Sequence, residues 1–256
     1  MIDAELSTLF FAVTAFAVFF VGLAKAGFGG MMGSLGMPLV AAVSDMPTAI
    51  AILLPTYIVI DVIVVWLYRR SVRFDTLWPL LLGGLIGIVF GGMAFRTLDP
   101  TWLRVGLGMI TIGQALRFGW HMRARGQEPD VIPPDQRNWS RILGWGGASG
   151  FLSFFLMGGA PAQIYLLPFR LAPHIYVGIM VWHFAILNVA KLPFLFQMDL
   201  INGQTLMTSA LFLPFMPAGI LLGRYINNRI PKQPFYVIVH VLLFALGIYL
   251  ILSAFM

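Results

Sequence analysis

No cysteine occurs among the 256 residues, which excludes disulfides, thiol catalysis and thiolate-ligated metals together. Charge is nearly as scarce: 10% of the residues are Asp, Glu, Lys or Arg, against 59% that are hydrophobic. A water-soluble domain carries about 25% charged residues to cover its surface, so a soluble domain is excluded. No H-E-x-x-H pattern occurs, and one carboxylate alone, Asp61, lies deep in an apolar run. Metalloprotease and paired-aspartate chemistry therefore lack their residues. A basic leader is missing too. The stretch "MIDAELSTLFF" has no Lys or Arg, so the first apolar segment is expected to belong to the mature fold. The net charge of +6 does not point to nucleic acid, because the basic residues sit in short loops between apolar runs, where cytoplasmic loops collect them.

What is present is a series of apolar runs long enough to cross a bilayer. They are expected at Leu6–Val43 (interrupted), Pro47–Leu67, Leu77–Phe95, Trp102–Trp120, Ile142–Phe169 (interrupted), Ile175–Phe196, Thr205–Leu222 and Phe235–Ala254. The long polar stretch "MRARGQEPDVIPPDQRNWSR", residues 122–141, reads as a loop. It separates two halves that resemble each other. "GFGGMMGSLGMPLV" answers to "LMGGAPAQIYLLPF", "GIVFG" (87–91) to "GILLG" (219–223), and "LDPTWL" (98–103) to "IPKQPF" (230–235). A spacing that stays near 130 residues fits a duplicated unit.

Charge placement orients the halves. Arg69, Arg70 and Arg73 follow the second run, Arg123, Arg125, Arg137 and Arg141 flank the central loop, and Arg224, Arg229 and Lys232 follow the seventh. The loop "QMDLINGQ" (197–204) has no Lys or Arg. Basic loops inside put both termini outside and residues 122–141 in the cytoplasm. The segment Ile142–Phe169 then begins beside Arg141 and ends beside Arg170, so it is expected to enter and turn back. Its length, about 28 residues, is too short for two crossings of a 30 Å core. Two half-helices meeting at "MGGAP" fit it, and the first half breaks correspondingly at "GFGG". The expected fold is an all-α polytopic membrane protein of two inverted repeats, 1–121 and 142–256. Each is a broken helical hairpin followed by three transmembrane helices, and a cytoplasmic linker at 122–141 joins them.

Broken helices at matching places in two halves point to a transporter's midplane site, because irregular backbone at membrane depth must line a cavity or be buried in protein. Lys25 stands beside the first break. The half-helices that start after Gly29-Gly30 and Gly158-Gly159 direct positive dipole ends toward the breaks, which makes an anion site with Lys25. Gly27, Gly29, Gly30, Gly158 and Gly159 allow backbone to approach a ligand, and Gln163 adds a polar group. The glycines of "GGLIGIVFGG" (83–92) read instead as helix-packing residues.

Asp61 and Lys191 occupy equivalent places in the two halves. They are expected to approach each other, or Asp61 to pair with Lys25, as a structural ion pair or as a coupling device for a proton or other ion. His183 and Asn188 share a helix face with Lys191. Tyr57, Tyr165, Ser34 and Ser153 are further polar groups near the same stretches. No cofactor or metal is expected.

The glycine-rich first segment ending in proline ("GFGGMMGSLGMP"), the basic loop "YRRSVRFD" and the echoed "MGGAP" resemble the sulfite exporter TauE/SafE family of membrane permeases. The resemblance spans nearly the whole chain. It implies a multi-pass protein of the cell (inner) membrane that moves sulfur-containing or related small organic anions outward. The expected function is secondary transport by alternating access, with one half moving against the other around a site between the breaks. The partners are the bilayer and a small anion; a coupling proton or ion and a homodimer are compatible with it. Two alternatives stay open on the residues: an anion channel along the same glycine-lined path, and an intramembrane serine protease using Ser149 of "GASG" with His183 as base.

Overall fold

The computed structural model describes residues 8–28, 30, 33–123, 138–158, 160–166, 169, 171, 173–227, 241, 244–245, 247–252 and 254–255. Among them the regular structure is helical throughout. In chain order the helices are α1 (Thr8–Phe28), a 3₁₀ turn (Gly33–Leu35) running into α2 (Gly36–Val43), α3 (Met46–Tyr68), α4 (Phe74–Thr97), α5 (Pro100–Arg123), α6 (Trp139–Leu156), α7 (Ala160–Leu166), α8 (Pro173–Gln197), α9 (Gly203–Phe212), a second 3₁₀ turn (Leu213–Phe215) and α10 (Met216–Asn227). Among the described residues five stretches are long and apolar enough to cross a membrane: Thr8–Gly27, Met46–Tyr68, Phe74–Thr97, His174–Gln197 and Gly203–Tyr225. The chain is a multi-pass membrane protein. Most of the expected linker and half of the last expected span, Phe235–Ala254, lie outside the described residues.

Local chemistry explains where the helices begin. Asp45 caps α3, its carboxylate accepting from the Thr48 N–H at 2.7 Å, with Pro47 in the first turn. Asn138 caps α6 by accepting from the Ser140 and Arg141 N–H groups. Asn202 and Thr205 form a reciprocal capping box at α9, which satisfies two of the donors every helix start leaves open. Polar caps at the ends of apolar helices place those ends at the level of water or headgroups. Exposed Trp66, Trp78, Trp102, Trp120 and Trp139 lie close to helix ends, as in an interfacial aromatic belt.

Three expectations change in detail. α5 has 24 residues, long enough to cross, but Arg104, Gln114 and Arg117 dilute its hydropathy and it is not among the five. The expected span Thr205–Leu222 is interrupted by the 3₁₀ turn at Leu213–Phe215, where Pro214 and Pro217 withdraw two backbone donors. The expected pairs of half-helices are unequal arms: 21 residues for α1 against 8 for α2, and 18 for α6 against 7 for α7. At 1.5 Å per residue the long arms reach about 32 and 27 Å, and the short arms about 12 and 10 Å.

Among the described residues, two seams of several glycines each bring helix backbones together, besides a single Gly108–Gly247 contact on α5. α4 lies on α6 so closely that a Cβ on Gly83, Gly87 or Gly150 would overlap the carbonyl oxygens of Leu143, Gly147 and Gly84 respectively. α1 lies on α10 in the same manner, with Gly219 against the Phe19 carbonyl, Gly223 against the Leu23 carbonyl and Gly27 against the Gly223 carbonyl. Small residues give helices in lipid their association, since apolar side chains gain little by leaving lipid for protein. Between the seams, α3 and α8 pack on each other; α3 also touches α1 and α9, and α8 touches α4. The Ser209 hydroxyl of α9 ties to the Ile52 carbonyl of α3 at 2.9 Å. This central α3–α8 contact holds the buried charges.

Candidate functional site

Lys25 stands in the last turn of α1 and is 3% exposed. Its ammonium donates to Asp61 Oδ1 of α3 at 2.5 Å. The other oxygen of that carboxylate accepts from the Asn188 Nδ2 group of α8 at 2.6 Å. Asn188 Oδ1 in turn accepts from the Lys191 ammonium at 2.9 Å. The amide orientation follows from its neighbours, because an ionised carboxylate only accepts and an ammonium only donates. Lys25, Asp61, Asn188 and Lys191 thus form one polar chain across three helices, every member buried. Of the two expected pairings for Asp61, the direct one is with Lys25. Lys191 reaches Asp61 through the Asn188 amide and has no acidic partner of its own among the described residues.

Two ammonium groups and one carboxylate give the cluster a formal charge of +1. Ions in a low-dielectric core are tolerated when paired and hydrogen-bonded, and removing one partner costs about 3–5 kcal/mol.

The break after α1 adjoins this cluster. Gly30 has a φ of +78°, a conformation open to glycine. Its N–H returns to the Ala24 carbonyl at 3.1 Å, and its own carbonyl accepts from the Gly33 N–H at 2.9 Å. The Gly30 N–H is therefore spent on closing α1. A Cβ on Gly30 would meet the Phe184 ring at 3.6 Å and Lys25 Cγ at 3.8 Å. Gly27 serves the seam with α10. In the second break the left-handed residue is Met157, at φ 52°, with the buried Gly158 following it. A non-glycine residue there carries a strain of about 1–2 kcal/mol. Gln163 is buried on α7. Gly29 and Gly159 lie outside the described residues.

His183 stands apart from the lysine chain. Its Nε2 lies 3.2 Å from the Ser149 hydroxyl of α6, and Gly84 of α4 packs against the ring edge. Both residues are fully buried, and His183 Nδ1 has no hydrogen-bond partner among the described residues. In a Ser–His–Asp triad a third group orients the base. None among the described residues does so here.

Tyr57 is the residue that sequence reasoning underrated. It lies one turn before Asp61 on the same face of α3, fully buried, with Lys25 Nζ 4.8 Å from its ring centroid. That i, i+4 spacing from a buried carboxylate was the available signal.

None of the curated proteins or solved structures compared with this chain gives a significant match. The family model described as sulfite exporter TauE/SafE, a membrane transporter family, matches residues 14–250. With that match covering the helix breaks, both seams and the buried lysine chain, the protein belongs to the sulfite exporter TauE/SafE family.

Proposed function

We propose that this chain is a secondary transporter that exports small sulfur-containing or organic anions across the inner cell membrane. Access alternates about a site between the two helix breaks. The observation that carries the reading is the buried cation excess, in which Lys25 and Lys191 share one carboxylate, Asp61, through Asn188. An anion entering this cluster supplies the missing negative charge, whereas a cation meets repulsion in a medium that screens it poorly. Asp61 is the group that a coupling proton would neutralise. Sulfur in the substrate rests on the family; the anionic charge rests on the residues.

Inverted repeats at 1–121 and 142–256, with both termini outside and the linker in the cytoplasm, belong to the same proposal. Reciprocal packing supports them: the opening helix of each half lies by glycine on the late helix of the other, α1 on α10 and α6 on α4. A single cysteine introduced at position 130 should label from the cytoplasmic side alone, and labelling confined to the outside would reverse the orientation.

The decisive measurement is flux in proteoliposomes loaded with sulfite, a short sulfonate or acetate. Saturable anion flux stimulated by anion on the opposite side is expected. Lys25→Gln leaves Lys191 and Asp61 in balance, so it should give a folded protein that no longer moves anions. Unchanged flux in that variant, or flux of cations alone, overturns the reading. Ion conductance without stimulation from the opposite side would make the protein a channel.

A further inference from the structure

Three features remain unexplained by the lysine chain, and they meet at one point. The first is the start of α2. This eight-residue helix follows a 3₁₀ turn, and its N-cap residue Leu35 supplies no side-chain hydrogen bond. Helix starts leave backbone N–H groups to be satisfied and carry partial positive charge. The 3₁₀ turn supplies i→i+3 partners to the earliest N–H groups, and Pro38, in the first turn, contributes no N–H, so what the start of α2 offers is its partial positive charge.

The second is Tyr57. Its hydroxyl is fully buried and has no hydrogen-bond partner among the described residues, although a buried hydroxyl without a partner costs about 1–3 kcal/mol. The hydroxyl is aimed at the first residue of α2: a Cβ on Gly36 would overlap it. The third is Lys25, whose ammonium lies over the ring of that tyrosine while holding Asp61. A donor without an acceptor, an uncapped helix start and a cation thus converge, and glycine at position 36 keeps the approach open.

We propose that the start of α2, the Tyr57 hydroxyl and Lys25 form the subsite that holds the oxyanion head of the substrate. This rests on the anion-transport reading and locates the head group within it. A sulfite, sulfonate or carboxylate head accepts from the Tyr57 hydroxyl and from Lys25, at the partially positive start of α2. It also draws Lys25 away from Asp61. The carboxylate then remains with Asn188 and, through it, with Lys191, so each cation acquires one negative charge. The subsite is therefore filled at the moment the cluster becomes neutral.

The test is sulfite and methanesulfonate titration of the purified full-length protein in nanodiscs, read by calorimetry and by thermal unfolding. Tyr57→Phe removes one oxygen that has no partner in the empty protein. It should leave the melting temperature of the unliganded protein unchanged or raised, while weakening sulfite binding about 10- to 100-fold, the effect of losing a hydrogen bond to a charged group. Gly36→Ala places a methyl group where the hydroxyl lies and should weaken binding at least as much. A Tyr57→Phe protein that binds sulfite as tightly as the parent overturns the subsite alone. A parent protein that binds none of the anions overturns the anion reading and the subsite with it.

Discussion

At the first helix break Lys25 reaches Asp61 within 2.5 Å and lies over Tyr57, whereas the stretch of α6 before the second break carries Ser149, Ser153 and a left-handed Met157, all uncharged. The backbone logic is shared, since in both a long helix ends, the chain turns at a glycine-rich sequence and a short helix follows. The chemistry is not. Beside the first break polarity is ionic and linked across α1, α3 and α8; before the second it is a Ser149–His183 contact, with Ser153 Oγ unpartnered among the described residues. Two helix breaks of similar shape can thus differ in charge, because shape depends on glycine and hydrophobic pattern and charge depends on single residues.

Replacing charges should separate the two breaks most strongly. Asp61→Asn leaves two buried ammonium groups without a carboxylate and should cost about 3–5 kcal/mol of stability. Unfolding in mixed detergent would register it. The double variant Lys25→Gln/Asp61→Asn should recover part of that loss, and strictly additive losses would mean that the 2.5 Å contact carries no coupling.

The seams come next in size. Gly150→Ala forces a methyl group against the Gly84 carbonyl and should destabilise by about 1–3 kcal/mol, the range for overpacked sites. Gly223→Ala, which meets the Leu23 carbonyl, should cost a similar amount. Unequal costs would show that one seam has room to relax and the other does not.

Ser149→Ala should cost less, about 1 kcal/mol for one neutral hydrogen bond, and should leave anion flux intact. Flux survives in a transporter because His183 takes no part in the lysine chain; hydrolysis of a peptide substrate that disappears in this variant would instead favour the protease reading. Smallest of all is Gly113→Ala. Gly113 is exposed on α5 with nothing within 4 Å of the added methyl group, so the helix should gain up to about 1 kcal/mol. A loss there would reveal a neighbour packed on that face of α5.

Much of this was legible in the residues. Hydropathy marked the helices, and glycine with proline marked both breaks. Depth within an apolar run singled out Lys25, Asp61 and Lys191, because an ion at the centre of a run has nowhere to reach water. What remained hidden depends on helix rotation and on contact across helices. Equivalence of Asp61 and Lys191 in the repeats suggested a direct pair, yet the Asn188 amide stands between them. Gly27 and Gly30 were grouped as ligand-facing, yet Gly27 meets α10, and the Gly30 N–H is used within its own turn. Hydrophobic pattern also could not distinguish two equal half-helices from a long arm and a short one, since both need the same number of apolar residues.

The seams bear on what moves. α1 comes from the first half of the sequence and α10 from the second, and their backbones touch; α4 and α6 are joined across the halves in the same way. Surfaces locked carbonyl to Cα offer no side-chain layer to slide on, so each joined pair travels as one piece. Under the alternating access proposed above, the moving bodies would be braided, each built from both halves of the chain, with the shear between them at the contact of α3 with α8. Spin labels on α1 and α10 should keep one distance through the cycle, while labels on α1 and α6 report the stroke.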